Sequence, residues 1–542
     1  MCRFLLVSIN IDAILGEVTI FLRRKKLEEM ARGNGLSDAY TATLARLKGQ
    51  KGNKSVLGLK VLKWVLYSER PLRADELCHA LAVEMGSRDL DPNNIPVLRT
   101  LISSCLGLVN VEASSSTVRL VHFTLQEHLL SNSTLFPSPH STIAEVCLTY
   151  LNFGWVRDRS WSTYPPPQTA ALIKYASLYW GKHARMGITE DVKILALRLL
   201  NTFDEHISSR LLLLHYNKCE LWNLFYYPMP RPTGFTGLHG AAFLGMAEIL
   251  ATLLEMKESD VNAYDCVGNT ALTWGARNGH EEVVKMLLER EGVNPAGALD
   301  GRMPLSWAAE KGHEGLVKML LERKDVNPSQ ADTGGGQTPL SRAAANGHVG
   351  VVKMLLERED VNPDLADTEY GRTPISWAAE NGHVGVVKIL LEREDVNPDL
   401  ADTEYGRTAL SLAAESGHER VVKMLLEWKD VNPDQADTVY GQTALSWAAK
   451  NGHERVVKIL LERKDVNPDL ADTFYRRTPI LWAAVQGNEG VVKILLECDE
   501  INSGQANTDY GQSLLSLARR RNAERYVPRR SLIRPPAFIR GL

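Results

Sequence analysis

A repeated segment in the second half of this chain restricts the folds open to it. The same phrase begins nine times between Thr236 and Ser513, at steps of 34, 33 and then six of 35 residues. Two neighbouring copies, residues 336–370 and 371–405, agree at 30 of 35 positions. A repeat of this length is one supersecondary unit that cannot bury its apolar face alone, so the copies must stack. We therefore expect a solenoid with an extended binding surface, and not an enzyme.

The residue types within copy 371–405 predict two helices. Thr373 stands where a helix N-cap is wanted, and Pro374 occupies the first turn, where a missing N–H has little cost. Gly382 supplies the left-handed residue that ends the first helix. A second helix is predicted by an apolar stripe at helical spacing, formed by Val386, Val387, Leu390 and Leu391.

The repeat resembles a known family. Its pattern T-P-L-x-x-A-A-x-x-G-H-x-x-V-V-x-x-L-L, nearly complete in six copies, is similar to the ankyrin signature. The resemblance implies a mainly α solenoid with a helix-turn-helix and a β-hairpin finger per unit, which binds proteins through its fingers and concave face. The chain departs from the family in three ways. Serine replaces the usual histidine in most copies, a charged pair such as Arg393 and Glu394 replaces Gly-Ala, and the finger is longer, with eleven residues from Asn362 up to but not including Thr373.

The long fingers provide the first candidate protein-binding residues. A tyrosine recurs at each tip beside a residue that changes between fingers: Glu369 and Tyr370, Glu404 and Tyr405, Val439 and Tyr440, Phe474 and Tyr475. A ladder of tyrosines is a suitable contact surface. The alternative is that each tyrosine packs on the neighbouring finger and stiffens it.

A second candidate set follows the double alanine, at positions that match the concave face of ankyrins. Its members are Glu380, Asn381, Glu415, Ser416, Lys450 and Asn451. Two other columns are predicted to be structural. The tryptophans (Trp274, Trp307, Trp377, Trp447 and Trp482) are expected to fill the core between repeats. The Gly-His pairs from His280 to His453 are expected to form turns and not a metal site, because no Cys or second His lies within a helical turn of them.

The residues before the repeats predict a winged-helix arrangement. Three helices (LGLKVLKWVLYS, RADELCHALAVE and NIPVLRTLISSCL) precede a hairpin made of LGLVNVE and STVRLVHF. Further helices follow up to the proline-rich break at 228–234. The predicted organisation is a helical segment over 1–48, a winged helix over 55–135, a helical linker domain over 141–230, about nine ankyrin units over 234–526 and a basic tail over 527–542.

The segment from Leu57 to Trp155 resembles the winged-helix region that follows the ATPase module in fungal NACHT-ankyrin proteins, which are STAND, NLR-like proteins. This resemblance implies that residues 1–48 are the end of a NACHT module and that the chain works in signalling or in self/non-self recognition. It also suggests a nucleotide-facing role for His122 in a longer parent protein, against a local hydrogen-bonding role. No G-x-x-x-x-G-K-[ST] motif occurs, and the nearest string, GQKGNKS at 49–55, has Asn53 where the second glycine must sit.

Charge and composition limit the classes of partner and the cellular compartment that we expect. The net charge is −3, which argues against a polyanion binder, and the candidate recognition helix of the winged helix has a single basic residue, Arg99. Seven scattered cysteines without a CxxC pair favour a reducing compartment, the cytoplasm or the nucleus. The N-terminal apolar run FLLVSINI has only eight residues, so no membrane segment is predicted.

These features predict a non-enzymatic protein that binds a protein partner, with no cofactor, metal, membrane or small-molecule substrate. One alternative is a nucleotide-dependent STAND ATPase switch whose P-loop lies outside this sequence. A weaker alternative is nucleic-acid binding through the winged helix and the Arg-rich tail from Arg519 onward.

Overall fold

The computed structural model describes residues 18–31, 36–132, 134–157, 170–216, 233–256, 260–297, 302–428, 431–498, 513–514, 516–517 and 519–520. They belong to two compact units, 1–293 and 294–542. The apolar run near the N-terminus, the prolines at 165–167 and the finger tip at Tyr510 lie outside the described residues, as does the tail after Arg520. No described helix has both the length and the apolar character needed to cross a bilayer.

The first unit begins with helices around a two-stranded antiparallel sheet. Strands Val109–Glu112 and Thr117–Leu120 pair with Val109 opposite Leu120, and Thr117 also bridges to Arg73. The helices are Ile20–Ala31, Leu36–Lys48, Lys54–Tyr67, Ala74–Ala82, Leu98–Ser104 and Phe123–Ser131, with a 3₁₀ turn at Pro92–Asn94. The winged-helix arrangement of three helices and a hairpin is therefore confirmed.

Helix Leu36–Lys48 packs against this group. The hydroxyl of Tyr40 lies 2.9 Å from Thr124 Oγ1, and Gln50 Nε2 donates to the carbonyl of Ser104 at 2.7 Å. Gly58 is required where two helices meet, because a Cβ atom there would lie 2.6 Å from the Ser104 oxygen. The helix before residue 50 thus shares contacts with the winged helix.

A helical bundle follows, as the sequence predicts. Its helices are Pro139–Leu151, Gly154–Arg157, Ile173–Arg185, Glu190–Leu200 and Ile207–Tyr216. A polar chain runs through its core. His140 Nδ1 lies 2.9 Å from His183 Nδ1, His183 Nε2 lies 2.9 Å from the Tyr175 hydroxyl, and that hydroxyl accepts a bond from the backbone of Glu69 at 3.0 Å. These bonds connect the bundle to the segment after helix Lys54–Tyr67.

Ankyrin helix pairs complete the first unit and build the second. In the first unit they are Gly237–Leu244 with Ala247–Glu255, and Ala271–Arg277 with Glu281–Leu288. In the second unit they are Pro304–Lys311 with Glu314–Leu321, Pro339–Ala345 with Val349–Leu356, Pro374–Glu380 with Val384–Leu391, Ala409–Ser416 with Glu419–Glu427, Ala444–Asn451 with Glu454–Leu461, and Pro479–Gln486 with Glu489–Leu496. The mainly α solenoid is confirmed.

The start and end of each first helix follow the predicted chemistry. Thr373 Oγ1 accepts a bond from the Ser376 backbone, the two hydroxyls lie 3.1 Å apart, and Pro374 occupies the first turn. Gly382 ends the turn with a φ of 74°. The serine that replaces the family histidine therefore takes part in the helix cap of its own repeat.

Neighbouring repeats are joined by the turn histidines. His383 Nε2 donates to the carbonyl of Ala345 at 3.0 Å, and His418 Nε2 to that of Glu380 at 2.9 Å. Gly347 must be glycine, since its φ is 77° and a Cβ there would meet the His383 ring at 2.6 Å. Within the described residues, no group of three or more His, Cys, Asp or Glu is placed to hold a metal ion.

The charged pair that replaces Gly-Ala forms a second link between repeats. Arg393 binds the carboxylate of Asp395 through Nε and Nη2 at 2.8 and 2.7 Å. Its Nη1 donates to the carbonyl of Leu356 in the preceding repeat at 2.8 Å. The arginine therefore satisfies a carbonyl at the end of the neighbouring helix, where a glycine could not.

Candidate functional site

In the second unit, the five fingers that the structure fully describes each fold around a buried aspartate. Asp437 is 3% exposed, and its Oδ1 accepts from the backbone N–H groups of Tyr440 at 2.6 Å and Gly441 at 3.1 Å. Its Oδ2 accepts from the Gln442 N–H and from Trp447 Nε1, both at 3.1 Å. Four N–H donors satisfy the carboxylate in the core. The same position in the other fingers is also buried and is held by Asp332, Asp367, Asp402 and Asp472.

Tryptophans that recur at one repeat position donate hydrogen bonds to the buried finger aspartates. Trp377 Nε1 donates to Asp367 at 2.8 Å, and Trp482 Nε1 to Asp472 at 2.7 Å. Trp447 and Trp482 are buried, as the sequence predicts, whereas Trp377 is half-buried. The interpretation of these tryptophans as core filling is therefore incomplete, because the indoles of Trp377, Trp447 and Trp482 also fix the base of a finger.

Two repeats replace the tryptophan and keep the aspartate. Arg342 donates to the Asp332 carboxylate from Nε at 3.0 Å and also from Nη2. In the repeat with Leu412, the Nε atom of Arg407 lies 3.4 Å from Asp402 Oδ2. The finger is thus held by an aspartate whose partner differs between repeats.

Tyr370, Tyr440 and Tyr475 pack edge to face on the tryptophans of their own repeats. The ring centroids of Tyr440 and Trp447 lie 6.5 Å apart at 77°, and those of Tyr475 and Trp482 lie 5.4 Å apart at 89°. Tyr440 also contacts Phe474 of the next finger at 6.1 Å. Packing on the neighbouring finger, the alternative drawn from the sequence, accounts for only this last contact.

Backbone bonds join successive fingers. The N–H of Thr438 donates to the carbonyl of Tyr405 at 2.8 Å, and that of Thr473 to the carbonyl of Tyr440 at 2.9 Å. Each tip is closed by a bond such as Asp437 N–H to Gln442 O at 3.0 Å, and no strands are assigned in the described fingers. The finger spacing is therefore set by the main chain and does not need the tyrosine rings.

Arginines at the end of two fingers lie on tyrosine rings and pair with predicted site residues. The guanidinium carbon of Arg407 lies 4.5 Å from the Tyr405 centroid, and its Nη1 donates to Glu415 at 2.8 Å. One repeat earlier, Arg372 donates in the same way to Glu380 at 2.7 Å. The two glutamates predicted on the concave face are therefore already paired.

The next two repeats place cations on aromatic rings. Lys450 Nζ lies 4.2 Å from the Trp447 ring and 4.8 Å from the Trp482 ring. The guanidinium carbon of Arg477 lies 4.7 Å from the same Trp482 ring and 5.0 Å from that of Tyr475. Such contacts contribute about 0.5–2 kcal/mol each, depending on exposure. They leave the charge of each cation available to a ligand.

These side chains enclose a groove of about 550 Å³. We call it the aromatic-basic groove; its lining residues are Tyr405, Arg407, Glu415, Tyr440, Trp447, Lys450, Tyr475, Arg477 and Trp482. Its volume is within the ~300–1,000 Å³ typical of ligand clefts. Burial in the groove lowers the pKa of the Lys450 ammonium, and the nearby Glu415 carboxylate partly offsets this.

The groove brings together five of the residues singled out from the sequence, namely Tyr405, Glu415, Tyr440, Lys450 and Tyr475. Val439 and Phe474 lie outside it at finger tips, 42% and 65% exposed. Sequence reasoning missed Arg407, Trp447, Arg477 and Trp482 as site residues. An arginine that recurs just after the finger tip was the available signal for two of them.

The other predicted residues are divided between the tips and the turns. Glu369 is exposed, and its hydrogen bond to the Tyr370 hydroxyl raises the pKa of that phenol; Glu404 acts in the same way on Tyr405. Ser416 is also exposed. The two asparagines donate to backbone carbonyls, Asn381 to that of Trp377 at 2.9 Å and Asn451 to that of Glu415 at 3.3 Å.

His122 caps a helix. Its Nδ1 accepts from the backbone N–H of Thr124 at 3.3 Å and lies 2.8 Å from the hydroxyl of the same residue, at the start of helix Phe123–Ser131. Its ring lies 4.4 Å from that of Phe123. These contacts correspond to the local hydrogen-bonding role considered for this histidine.

Comparison with protein families identifies the architecture. The model for ankyrin repeats (3 copies) matches residues 209–297, 238–332, 291–367, 359–437 and 429–507, which together cover more than half of the chain. The chain therefore belongs to the ankyrin-repeat family, whose members are typically protein-interaction scaffolds without catalytic activity. The winged helix domain of GPI inositol-deacylase matches residues 43–142. No curated protein matches the chain.

Proposed function

We propose that this chain binds a partner protein through the aromatic-basic groove and the finger tips beside it, without catalysing a reaction. The observation that supports the proposal is the groove itself, in which aromatic rings and cations from three successive repeats face one space. Tyrosine, tryptophan and arginine are the residues most enriched at the energetic centres of protein interfaces.

The tips beside the groove add apolar contact area. Phe474 and Tyr475 are 65% and 48% exposed, and Val439 is 42% exposed one finger earlier. The preceding tips have Glu369 and Glu404 at the position of Val439 and Phe474. The apolar tips therefore lie at the same end of the array as the two cations on Trp482.

The test uses the immobilised full chain and an extract of its source cells, with captured proteins identified by mass spectrometry. The double variant Val439→Ser and Phe474→Ser removes the apolar tips and should lose the proteins that the wild type retains. A matched control, Leu365→Ser and Leu400→Ser, makes the same kind of change at half-exposed leucines near the bases of earlier fingers and should retain them. Equal capture by both double variants would refute the assignment of this surface.

We also infer that the array is the sensor of a fungal NACHT-ankyrin, NLR-like protein that acts in signalling or self/non-self recognition in the cytoplasm. The order of a winged helix over 55–135, a helical linker over 141–230 and repeats over 234–526 supports this proposal, together with the resemblance of residues 57–155. A full-length transcript should encode a P-loop in frame before the winged helix, and the longer protein should bind ATP. A transcript without a P-loop would exclude the NACHT assignment and leave the binding proposal intact.

A further inference from the structure

The charge pattern of the groove differs from that of the repeats before it. In two preceding repeats an arginine after the finger tip pairs with a glutamate eight residues later, as Arg372 does with Glu380 and Arg407 with Glu415. In the next repeat Gln442 replaces the arginine and Lys450 replaces the glutamate. One repeat further the arginine is present as Arg477, but Val485 takes the glutamate position.

Two cations consequently lie near one ring without a paired acid. Lys450 and Arg477 both lie on Trp482, at 4.8 and 4.7 Å from its centroid. Neither takes part in an ion pair within the described part of the chain, whereas Arg372 and Arg407 do. Like charges brought together and partly desolvated favour an incoming opposite charge.

The aspartates beneath the groove, Asp437 and Asp472, offset part of the positive charge on Lys450, but a ligand cannot contact them. Asp437 and Asp472 are buried, and both accept bonds from backbone N–H groups and from an indole Nε1. Their carboxylate oxygens hold the fingers, and both residues are at most 3% exposed. The surface that a ligand meets therefore consists of cations, aromatic rings and a single paired glutamate, Glu415.

We propose that the groove recognises an extended acidic segment of the partner protein, with an aspartate or glutamate side chain seated between Lys450 and Arg477. This inference rests on the proposed function and specifies its ligand. The groove residues belong to successive repeats, so a ligand that meets them must run along the array, as an extended peptide does. An apolar side chain next to the acid would then lie against Phe474, which is exposed on the adjoining finger tip.

The probe is a displayed library of random 12-residue peptides, selected on the immobilised full chain. Recovered sequences should be enriched in Asp and Glu, and the fluorescence anisotropy of labelled peptides should report binding that weakens as salt rises. The double variant Lys450→Glu and Arg477→Gln should weaken binding about tenfold or more, because it removes two charge-assisted contacts. The new residues already occur at these positions in other repeats, as Glu415 and Gln442, so the frame should be retained.

The control is the double variant Lys423→Glu and Lys458→Gln, which makes the same charge change at exposed positions of second helices and should bind normally. Circular dichroism and the melting temperature verify the fold of both variants. Recovered peptides without acidic enrichment, or equal affinity for the groove variant, would overturn the inference. The inference would also be overturned if a labelled peptide bound only with a phosphorylated serine and not with Asp in place of that serine. If substitution of Phe474 abolished binding while substitution of Lys450 had no effect, the acidic ligand would be refuted but the proposed function would stand.

Discussion

Replacement of Asp437 by alanine tests whether the buried aspartate holds its finger. The substitution removes the acceptor of four N–H groups, three from the backbone and one from Trp447. A buried donor without a partner costs about 1–3 kcal/mol. Water can reach part of an opened finger, so we take the lower end and expect a loss of about 3–4 kcal/mol in the free energy of unfolding. Few single substitutions lower the free energy of unfolding by more than about 4 kcal/mol.

The assay is urea unfolding followed by circular dichroism, with hydrogen exchange measured over residues 431–452. Local exchange matters because repeats contact mainly their neighbours and can open locally. Trp447→Phe removes the indole donor alone and should cost about 1–2 kcal/mol. Because both variants break the same bond to Asp437, the double variant should lose less than the sum of the two.

The control for this prediction is Asp395→Ala. Asp395 is paired with Arg393, but its side chain is 52% exposed, so its loss should cost at most about 1 kcal/mol. A loss below about 1 kcal/mol for Asp437→Ala, or additive effects with Trp447→Phe, would refute the idea that this carboxylate organises the finger.

Three further predictions concern stability. Arg476 has a φ of 53° where other fingers have glycine, so Arg476→Gly should stabilise the chain by about 1 kcal/mol, and Gly441→Ala should destabilise it, as measured by urea unfolding. His418→Ala removes a bond between repeats and should lower the free energy of unfolding by about 1 kcal/mol, with faster hydrogen exchange nearby. Burial lowers the pKa of His183 to about 3 and that of His206 to about 4, both below the ordinary value of 6.5. The unfolded chain therefore takes up protons first, and stability should be full above pH 6.5 and fall as the pH drops towards 4, less steeply in His183→Gln.

Local backbone rules made much of this fold predictable. Thr373, Pro374 and Gly382 start and end a helix because of their own hydrogen-bonding and torsional properties, so one repeat suffices to place them. The apolar stripe of the second helix is likewise a property of spacing. Because the repeats share these residues, a correct prediction for one repeat also holds for the others.

The groove was harder to predict because its contacts join separate elements. Trp447 is ten residues from Asp437, and Lys450 reaches the tryptophan of the next repeat. The repeat pattern predicts only a core position for the tryptophans. The pattern does not predict that a buried ring also presents one face to a cation, although the change from Glu415 to Lys450 is visible in the sequence.

The exchange of partners at the finger aspartate has a consequence for how such arrays diversify. Asp332 bonds to an arginine and Asp437 to a tryptophan, while both turns are closed by the same backbone bond, from the aspartate N–H to the carbonyl five residues later. A repeat can therefore acquire a new aromatic or basic residue on its binding side in one mutational step, without a compensating change in the turn. Duplicated repeats with this property could change specificity one unit at a time, while the solenoid that presents them stays folded.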